Sequence, residues 1–252
     1  MVNIIIATLN AAGLLEKTLV SIFGKDKIPP HCYNTIVIDG GSSDNTSDVI
    51  ASYGNCVDYF VSEPDRGIAD AFNKGIGLCK PGYVYFIGAG DELVDSLVLE
   101  RVTAPFDYKR DMLICGRVEV VDIDGSGKIT KFEANFTKKS LIWRMSLPHQ
   151  GLLTSTLFFQ QWGGFDETCR FAMDYELLLR AYSDFPLVIT VDQVVARWFL
   201  GGVGFDVTEE VLKEYLRIRL AHRVAPRTIL YLIYAKSRLA YRLRKLRALG
   251  RV

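Results

Sequence analysis

From Val2 to Asp91 the chain alternates short apolar runs with segments of helical periodicity, and that alternation leaves few folds open to it. Val2 to Ala7 is a continuous apolar run of the length of a buried strand, and Leu14, Leu15, Thr18, Leu19, Ile22 and Phe23 then recur at helical spacing. The unit repeats. Thr35 to Ile38 reads as strand, Asp44 to Tyr53 as helix, Val57 to Val61 as strand, Ile68 to Leu78 as helix and Tyr83 to Ile87 as strand. Such alternation predicts a parallel sheet covered by helices.

Beyond Asp91 the pattern is less regular and predicts mixed α/β structure. Met112 to Val121 and Lys128 to Glu133 read as the arms of a hairpin turning through IDGSG. Leu152 to Phe158 reads as strand, Asp174 to Tyr182 as helix, and Leu187 to Val195 as strand leading into ARWFLGGVG. From Val207 onward everything reads as helix, broken at Pro226. The 252 residues suffice for one large domain with an appendage, divided here into a core over 1–205 and a basic helical extension over 206–252.

In open α/β sheets, ligands bind outside the carboxyl ends of the strands. Polar residues collect at those ends: Thr8-Leu9-Asn10, then Asp39-Gly40-Gly41-Ser42-Ser43-Asp44, then Glu63-Pro64-Asp65-Arg66-Gly67, then Gly88-Ala89-Gly90-Asp91-Glu92. Singly, each has an ordinary structural reading: Asp44 as a helix cap, Gly40 and Gly41 as a turn, Glu63 as a solvated charge. Together, Asp39, Asp65 and Asp91 with Arg66 make an edge more acidic than a bare phosphate site. Carboxylates repel a diphosphate unless a hard cation, Mg2+ or Mn2+, stands between them. No GxxxxGK[ST] loop is present and no GxGxxG follows the first strand, which disfavours P-loop hydrolases and dinucleotide-binding folds. A metal-bridged nucleotide diphosphate, in a nucleotide-sugar or nucleotidyl site, remains.

The motifs at the strand ends are ATLNAAG, VIDGGSSDNT, SEPDRGIADAFNKGI and FIGAGDEL, followed by LPHQG, GFDE, AMDYELLLR and FLGGVG. Over most of residues 2–205 they resemble the family 2 glycosyltransferases of the GT-A fold, and among them bacterial enzymes of colanic-acid, exopolysaccharide or O-antigen assembly. The resemblance implies a Rossmann-like, mostly parallel central sheet flanked by helices. It also implies inverting transfer from a nucleotide-diphosphate sugar, foremost a UDP-sugar, to a saccharide or polyprenyl-diphosphate-linked acceptor. Thr8, Asn10 and Asp39 would contact the nucleoside, Asp65, Arg66 and Gly90 would line the donor pocket, and His149 would stand near the donor diphosphate or the acceptor. Asp91 would hold Mn2+ or Mg2+, and Asp174 would be the catalytic base. Gly88 and Gly90 occupy positions where many relatives have carboxylates, which leaves Asp91 with Glu92 as its acidic neighbour. Gly201 and Gly202 suit a loop closing over the donor, with Trp198 and Phe199 beside it. In an inverting transfer the acceptor hydroxyl attacks opposite the leaving diphosphate, so one carboxylate must take its proton while a cation offsets charge on the leaving group. Alone, Asp174 reads as a helix N-terminal carboxylate and His149 as a structural histidine.

The near-neutral balance of 30 Lys and Arg against 29 Asp and Glu hides an asymmetry. Residues 215–252 hold 11 Lys and Arg and no carboxylate, so residues 1–214 carry 19 cations against 29 carboxylates, a net −10. A basic tail on an acidic body points to an anionic surface. Arg227 to Leu249 begins with TILYLIYA and continues with Leu239, Leu243 and Leu246 among Lys236, Arg238, Arg242, Arg244, Lys245 and Arg247. Its apolar run is shorter than the roughly 20 residues that cross a bilayer. It reads as a basic amphipathic helix in the interface of an anionic membrane, against the other reading of a helix packed on the core. Its Leu and Tyr content suits lipid better than a phosphate groove, and no nucleic-acid partner is expected. The start, VNIIIATLN, shows no secretory signal, and the five cysteines show no metal-ligand spacing. A cytoplasmic protein, peripheral at the inner face of the cytoplasmic membrane, is expected. Two other functions compete. A sugar-phosphate nucleotidyltransferase would carry a Gly-rich basic loop that ATLNAAGLLEK lacks; a non-catalytic nucleotide-sugar-binding subunit would not need Asp174.

Overall fold

A computed structural model describes residues 1–24, 31–122, 124–132, 134–200 and 208–249, with side chains through 246. The alternation is present as β1 (Val2–Thr8), α1 (Ala12–Phe23), β2 (Tyr33–Asp39), α2 (Thr46–Ala51), β3 (Tyr59–Ser62), α3 (Ile68–Ile76) and β4 (Tyr83–Gly88). β1 lies between β2 and β4, β3 lies outside β2, and all pair in parallel. Thr8 is opposite Asp39, Asp39 opposite Ser62, and Ala7 opposite Gly88, so the four strand ends emerge level along one edge.

Successive strand residues point to opposite faces, and both faces are apolar. Ile5, Ile36, Ile38, Val84 and Phe86 pack with Phe72 of α3. Ile4, Ile6, Val37, Tyr85 and Ile87 pack with Leu15, Leu19 and Ile22 of α1. The close seat of α3 on β1 needs Gly75, where a Cβ would stand 2.4 Å from Ile5 Cγ2.

The chain continues through β5 (Glu92–Leu93), α4 (Val98–Thr103), β6 (Met112–Val121), β7 (Gly127–Ile129), β8 (Leu152–Ser155), α5 (Thr156–Trp162), α6 (Met173–Arg180), β9 (Leu187–Phe199), α7 (Glu209–Ala221) and α8 (Arg227–Leu249). The sheet order is β3-β2-β1-β4-β8-β6-β9-β5, with β7 hairpinned onto β6. The sheet is parallel through β4 and mixed beyond it, since β8 runs antiparallel to both β4 and β6. The strand expected over Leu152 to Phe158 stops at Ser155, whose Oγ accepts the Leu157 N–H at 3.2 Å and caps α5. The second hairpin arm is shorter than expected, ending at Ile129; Ile123 in its turn and Glu133 lie outside the described residues.

Helix α7 starts at Thr208, whose hydroxyl accepts the Val211 N–H, and α8 starts after Pro226, whose carbonyl accepts the Leu230 N–H. Ile218, Val224, Leu230 and Ile233 belong to the buried cluster that holds Phe72 and Leu178. Burying side chains of this size contributes about 1.5–3 kcal/mol each. α7 and the first turns of α8 therefore share the core, while the expected boundary at 205/206 lies outside the described residues. Further along, Leu239, Leu243 and Leu246 of α8 are 59%, 47% and 64% exposed. Arg238 and Arg242 face α7, pairing with Glu209 at 2.9 and 3.4 Å. Among the described residues no helix is long and apolar enough to cross a membrane.

Candidate active site

The loops after β1 and β2 are tied to each other. Asp39 is fully buried, and its Oδ2 accepts the Ser42 N–H at 3.0 Å and the Ser62 hydroxyl at 2.6 Å. Its Oδ1 accepts the Ser42 hydroxyl, whose oxygen in turn accepts the Asn10 N–H at 2.7 Å. Asn10 sits in the left-handed region at φ 48°, a conformation Asn tolerates better than most residues, and its Oδ1 accepts the Ser43 N–H at 2.9 Å. Asp44 braces both helices that follow, accepting from the N–H groups of Ala12 and Thr46 at 3.1 Å each. Asp39 is thus the organiser of this loop, a role the strand-end pattern does not reveal. Thr8 Oγ1, beside it, is buried without a hydrogen-bond partner among the described residues.

After β3, Asp65 Oδ1 accepts the Gly67 N–H at 3.0 Å, and its other oxygen lies against Gly40. The exposed guanidinium of Arg66 pairs with Asp70 at 3.2 Å and Glu167 at 2.7 Å. That places Arg66 in a surface ion cluster with Asp70 and Glu167.

Asp91 follows β4 through Gly90, whose φ of 106° favours glycine. Thr18 of α1 fixes this turn, its hydroxyl accepting the Gly90 N–H at 3.0 Å and donating to the Asp91 carbonyl at 2.7 Å. Burial lifts the Asp91 carboxyl to about 7, although hydrogen bonds from the Phe199 N–H and the Gln150 side chain pull it down. No described lysine or arginine pairs with it. A carboxylate withdrawn from water without a cation has the donor chemistry of a Mg2+ or Mn2+ ligand. No group of three or more His, Cys, Asp or Glu suited to a metal occurs among the described residues. A cation held here would have Asp91 as its protein carboxylate. Glu92, its neighbour, faces elsewhere, lining a cavity of about 600 Å³ with Glu16, Lys17, Asp95 and Arg197.

Asp174 is the second residue of α6, with its Oδ1 accepting the Tyr175 N–H at 2.7 Å. His149 lies among Phe72, Phe86 and Phe165, nearly parallel to the Phe86 ring at 5.7 Å between centroids. Burial lowers its pKa, opposed by the charge of Asp174, and its Nε2 is buried without a partner among the described residues. His149 and Gln150 share one 3-10 turn, His149–Gly151. The charge of Asp174 acts on His149, and the Gln150 side chain hydrogen-bonds Asp91. Gly201 and Gly202 lie outside the described residues.

Residues 3–167 match the family described as Glycosyl transferase family 2. A "PGL/p-HBAD biosynthesis glycosyltransferase" of Mycobacterium bovis (strain BCG / Pasteur 1173P2) is 26% identical over 242 residues, spanning 92% of this chain and 90% of the relative. An "Uncharacterized glycosyltransferase" of Mycobacterium tuberculosis (strain CDC 1551 / Oshkosh) is 30% identical over 178 residues, 67% of this chain and 64% of the relative. Among solved structures, residues 1–349 of S. aureus TarS in complex with UDP-GlcNAc superpose with a TM-score of 0.70 at 17% identity, covering 93% of this chain and 70% of that one. The mannosyltransferase PcManGT of Pyrobaculum calidifontis, in complex with GDP-Man and Mn2+, gives 0.62 at 18% identity, covering 93% and 68%. These structural likenesses show the GT-A fold.

Proposed function

The chain belongs to glycosyl transferase family 2, and from that premise we propose that it transfers one sugar, with inversion, from a UDP-sugar to a hydroxyl of a lipid-linked saccharide during cell-surface polysaccharide synthesis. What supports this reading is the turn at His149–Gly151, whose Gln150 hydrogen-bonds Asp91 and whose His149 feels the charge of Asp174, so that both carboxylates bear on one short segment. Thr8, Asn10 and the loop ordered by Asp39 receive the nucleoside, and Asp65 and Gly90 border the donor. Asp91 is the residue that would hold Mn2+ or Mg2+, which when bound offsets negative charge on the leaving diphosphate. Asp174 accepts the proton of the acceptor hydroxyl as that oxygen attacks the anomeric carbon from the face opposite the diphosphate. His149 keeps the acceptor side of Asp174 enclosed among aromatic rings. UDP is favoured because the TarS structures hold UDP-GlcNAc and UDP, with the GDP-Man of PcManGT as the other donor class to test. The exposed leucines and cations of α8 seat the protein on the inner face of the cytoplasmic membrane, where a lipid-linked acceptor lies.

The test is a thermal-shift screen with UDP-GlcNAc, UDP-glucose and GDP-mannose, with and without Mn2+, on the wild type and on Asp91→Ala. Stabilisation by one nucleotide class that requires Mn2+ and vanishes in the variant is expected. Equal stabilisation of both proteins overturns the metal assignment.

A further inference from the structure

The N-terminus of α6, which presents Asp174, has no cap of its own. Its N-cap position is Ala172, which has no side-chain acceptor for the free N–H groups of the first turn. The loop that leads into it, residues 170–172, is held from α7. Glu214 Oε1 accepts the N–H groups of Phe171 at 2.9 Å and Ala172 at 2.8 Å, and Oε2 accepts that of Arg170 at 3.1 Å. A carboxylate receiving three consecutive backbone N–H groups just ahead of a helix makes charge-assisted bonds that fix where the helix begins. The same helix holds the residues on either side. Arg217 reaches the Thr168 carbonyl at 3.4 Å, Tyr215 packs on Tyr175 with ring centroids 4.7 Å apart, and Arg219 donates to the Tyr175 hydroxyl at 2.8 Å. Glu214 and Asp174 both lie beyond the segment matched to the family, residues 3–167.

We propose that Glu214 is a positioning residue of the transfer reaction: by gripping the backbone of 170–172 it sets where Asp174 stands relative to the acceptor hydroxyl. The proposal rests on Asp174 being the base. It makes α7 part of the catalytic apparatus, independently of what α8 binds.

The experiment measures kcat and donor KM for nucleotide release from UDP-GlcNAc, UDP-glucose and GDP-mannose with Mn2+, for the wild type, Glu214→Ala, Glu214→Gln and Asp174→Asn. Circular dichroism and melting curves check folding, and hydrogen exchange reads the amides of 170–172. A displacement of the base by about 1 Å costs on the order of a hundredfold in rate. Glu214→Ala should therefore lose kcat by that order, with donor KM within about twofold and faster exchange at 170–172. Glu214→Gln keeps an amide oxygen for two of the N–H groups and should recover part of kcat; it is read alone if the alanine variant does not fold. Wild-type kcat in the glutamine and alanine variants, with Asp174→Asn inactive, overturns the positioning role alone. Full activity in Asp174→Asn overturns the base assignment, and the positioning role falls with it.

Discussion

A Cβ on Gly40 would stand 2.5 Å from Oδ2 of Asp65, so the end of β2 and the loop after β3 meet where only hydrogen fits. Gly40→Ala must displace the Asp65 carboxylate, whose other oxygen is held by the Gly67 N–H. The side chain can swing away while the backbone stays, so the variant should fold with a small loss in Tm. Donor affinity should fall about tenfold, or about 1.4 kcal/mol, as read by titration calorimetry with the nucleotide found in the screen. Unchanged affinity would remove Asp65 from the donor site.

Ser62→Ala tests how the nucleoside loop is ordered. The substitution deletes a 2.6 Å hydrogen bond to a fully buried carboxylate and leaves Asp39 with its bonds from Ser42. Urea denaturation should show a loss of about 1.5–3 kcal/mol, the range for hydrogen bonds to charged groups. A loss under 0.5 kcal/mol, roughly the floor for neutral bonds, would mean that Ser42 alone suffices.

Stability should fall on the acid side through Glu176. Burial pushes this carboxyl up, but hydrogen bonds from His222 and Arg180 outweigh it and hold the carboxyl below its ordinary value of 4.5. A pKa lowered on folding contributes stability that is fully present above the unfolded value and lost as pH falls through the folded one. Unfolding free energy should thus decline as pH falls below about 4.5 toward the folded value. Glu176→Gln should flatten that component and cost about 3–5 kcal/mol at neutral pH, as for a broken buried pair. An acid limb of equal slope in the variant would assign the acid loss to other carboxylates.

Membrane docking is best tested without removing α8, because Leu230 and Ile233 lie in the core and a cut at Pro226 would strip them from it. Replacing Leu239, Leu243 and Leu246 together by Ser leaves the core intact. The variant should no longer float with vesicles containing phosphatidylglycerol. Exchanging Lys236, Arg244 or Lys245 for Ala should cost about 1 kcal/mol each, less at high salt. Wild-type flotation by the leucine variant would exclude this face as the docking surface.

How much could be read in the chain itself depended on distance. The β1–β4 half was legible because runs such as Val2 to Ala7 declare strands buried on both faces, though β3 at the edge is mostly exposed, and their polar termini mark the ligand edge. The insertion of β8 between β4 and β6 was not, since nothing local to Leu152 says that Leu153 will pair with Tyr85 and Ile114. The start of α5 was partly legible, Ser155 being a good cap residue, but the apolar run through Phe158 suits a strand equally well. Among the site residues, Asp39 and Asp91 announce themselves as charges past strands. Only packing distinguishes their conditions, the one tied down by Ser42 and Ser62, the other desolvated with donors from Phe199 and Gln150 and no described cation paired to it. Glu214 carries no local signal, because its three partners lie more than forty residues earlier. In TILYLIYA the continuous apolar character hides that Leu230 and Ile233 face inward while Leu232 is 70% exposed.

The anchoring of α8 at one end and the exposure of its leucines at the other give the molecule a fixed heading. Each added residue turns a helix by about 100°. With Leu230 and Ile233 locked in the core, the azimuth of Leu239, Leu243 and Leu246 about the helix axis is set relative to the strand ends. Any surface that takes the leucine stripe thereby also chooses which way the cleft looks. Inserting one alanine between Ile233 and Leu239 would leave every contact of the catalytic residues in place yet roll the body by about a quarter turn on that surface.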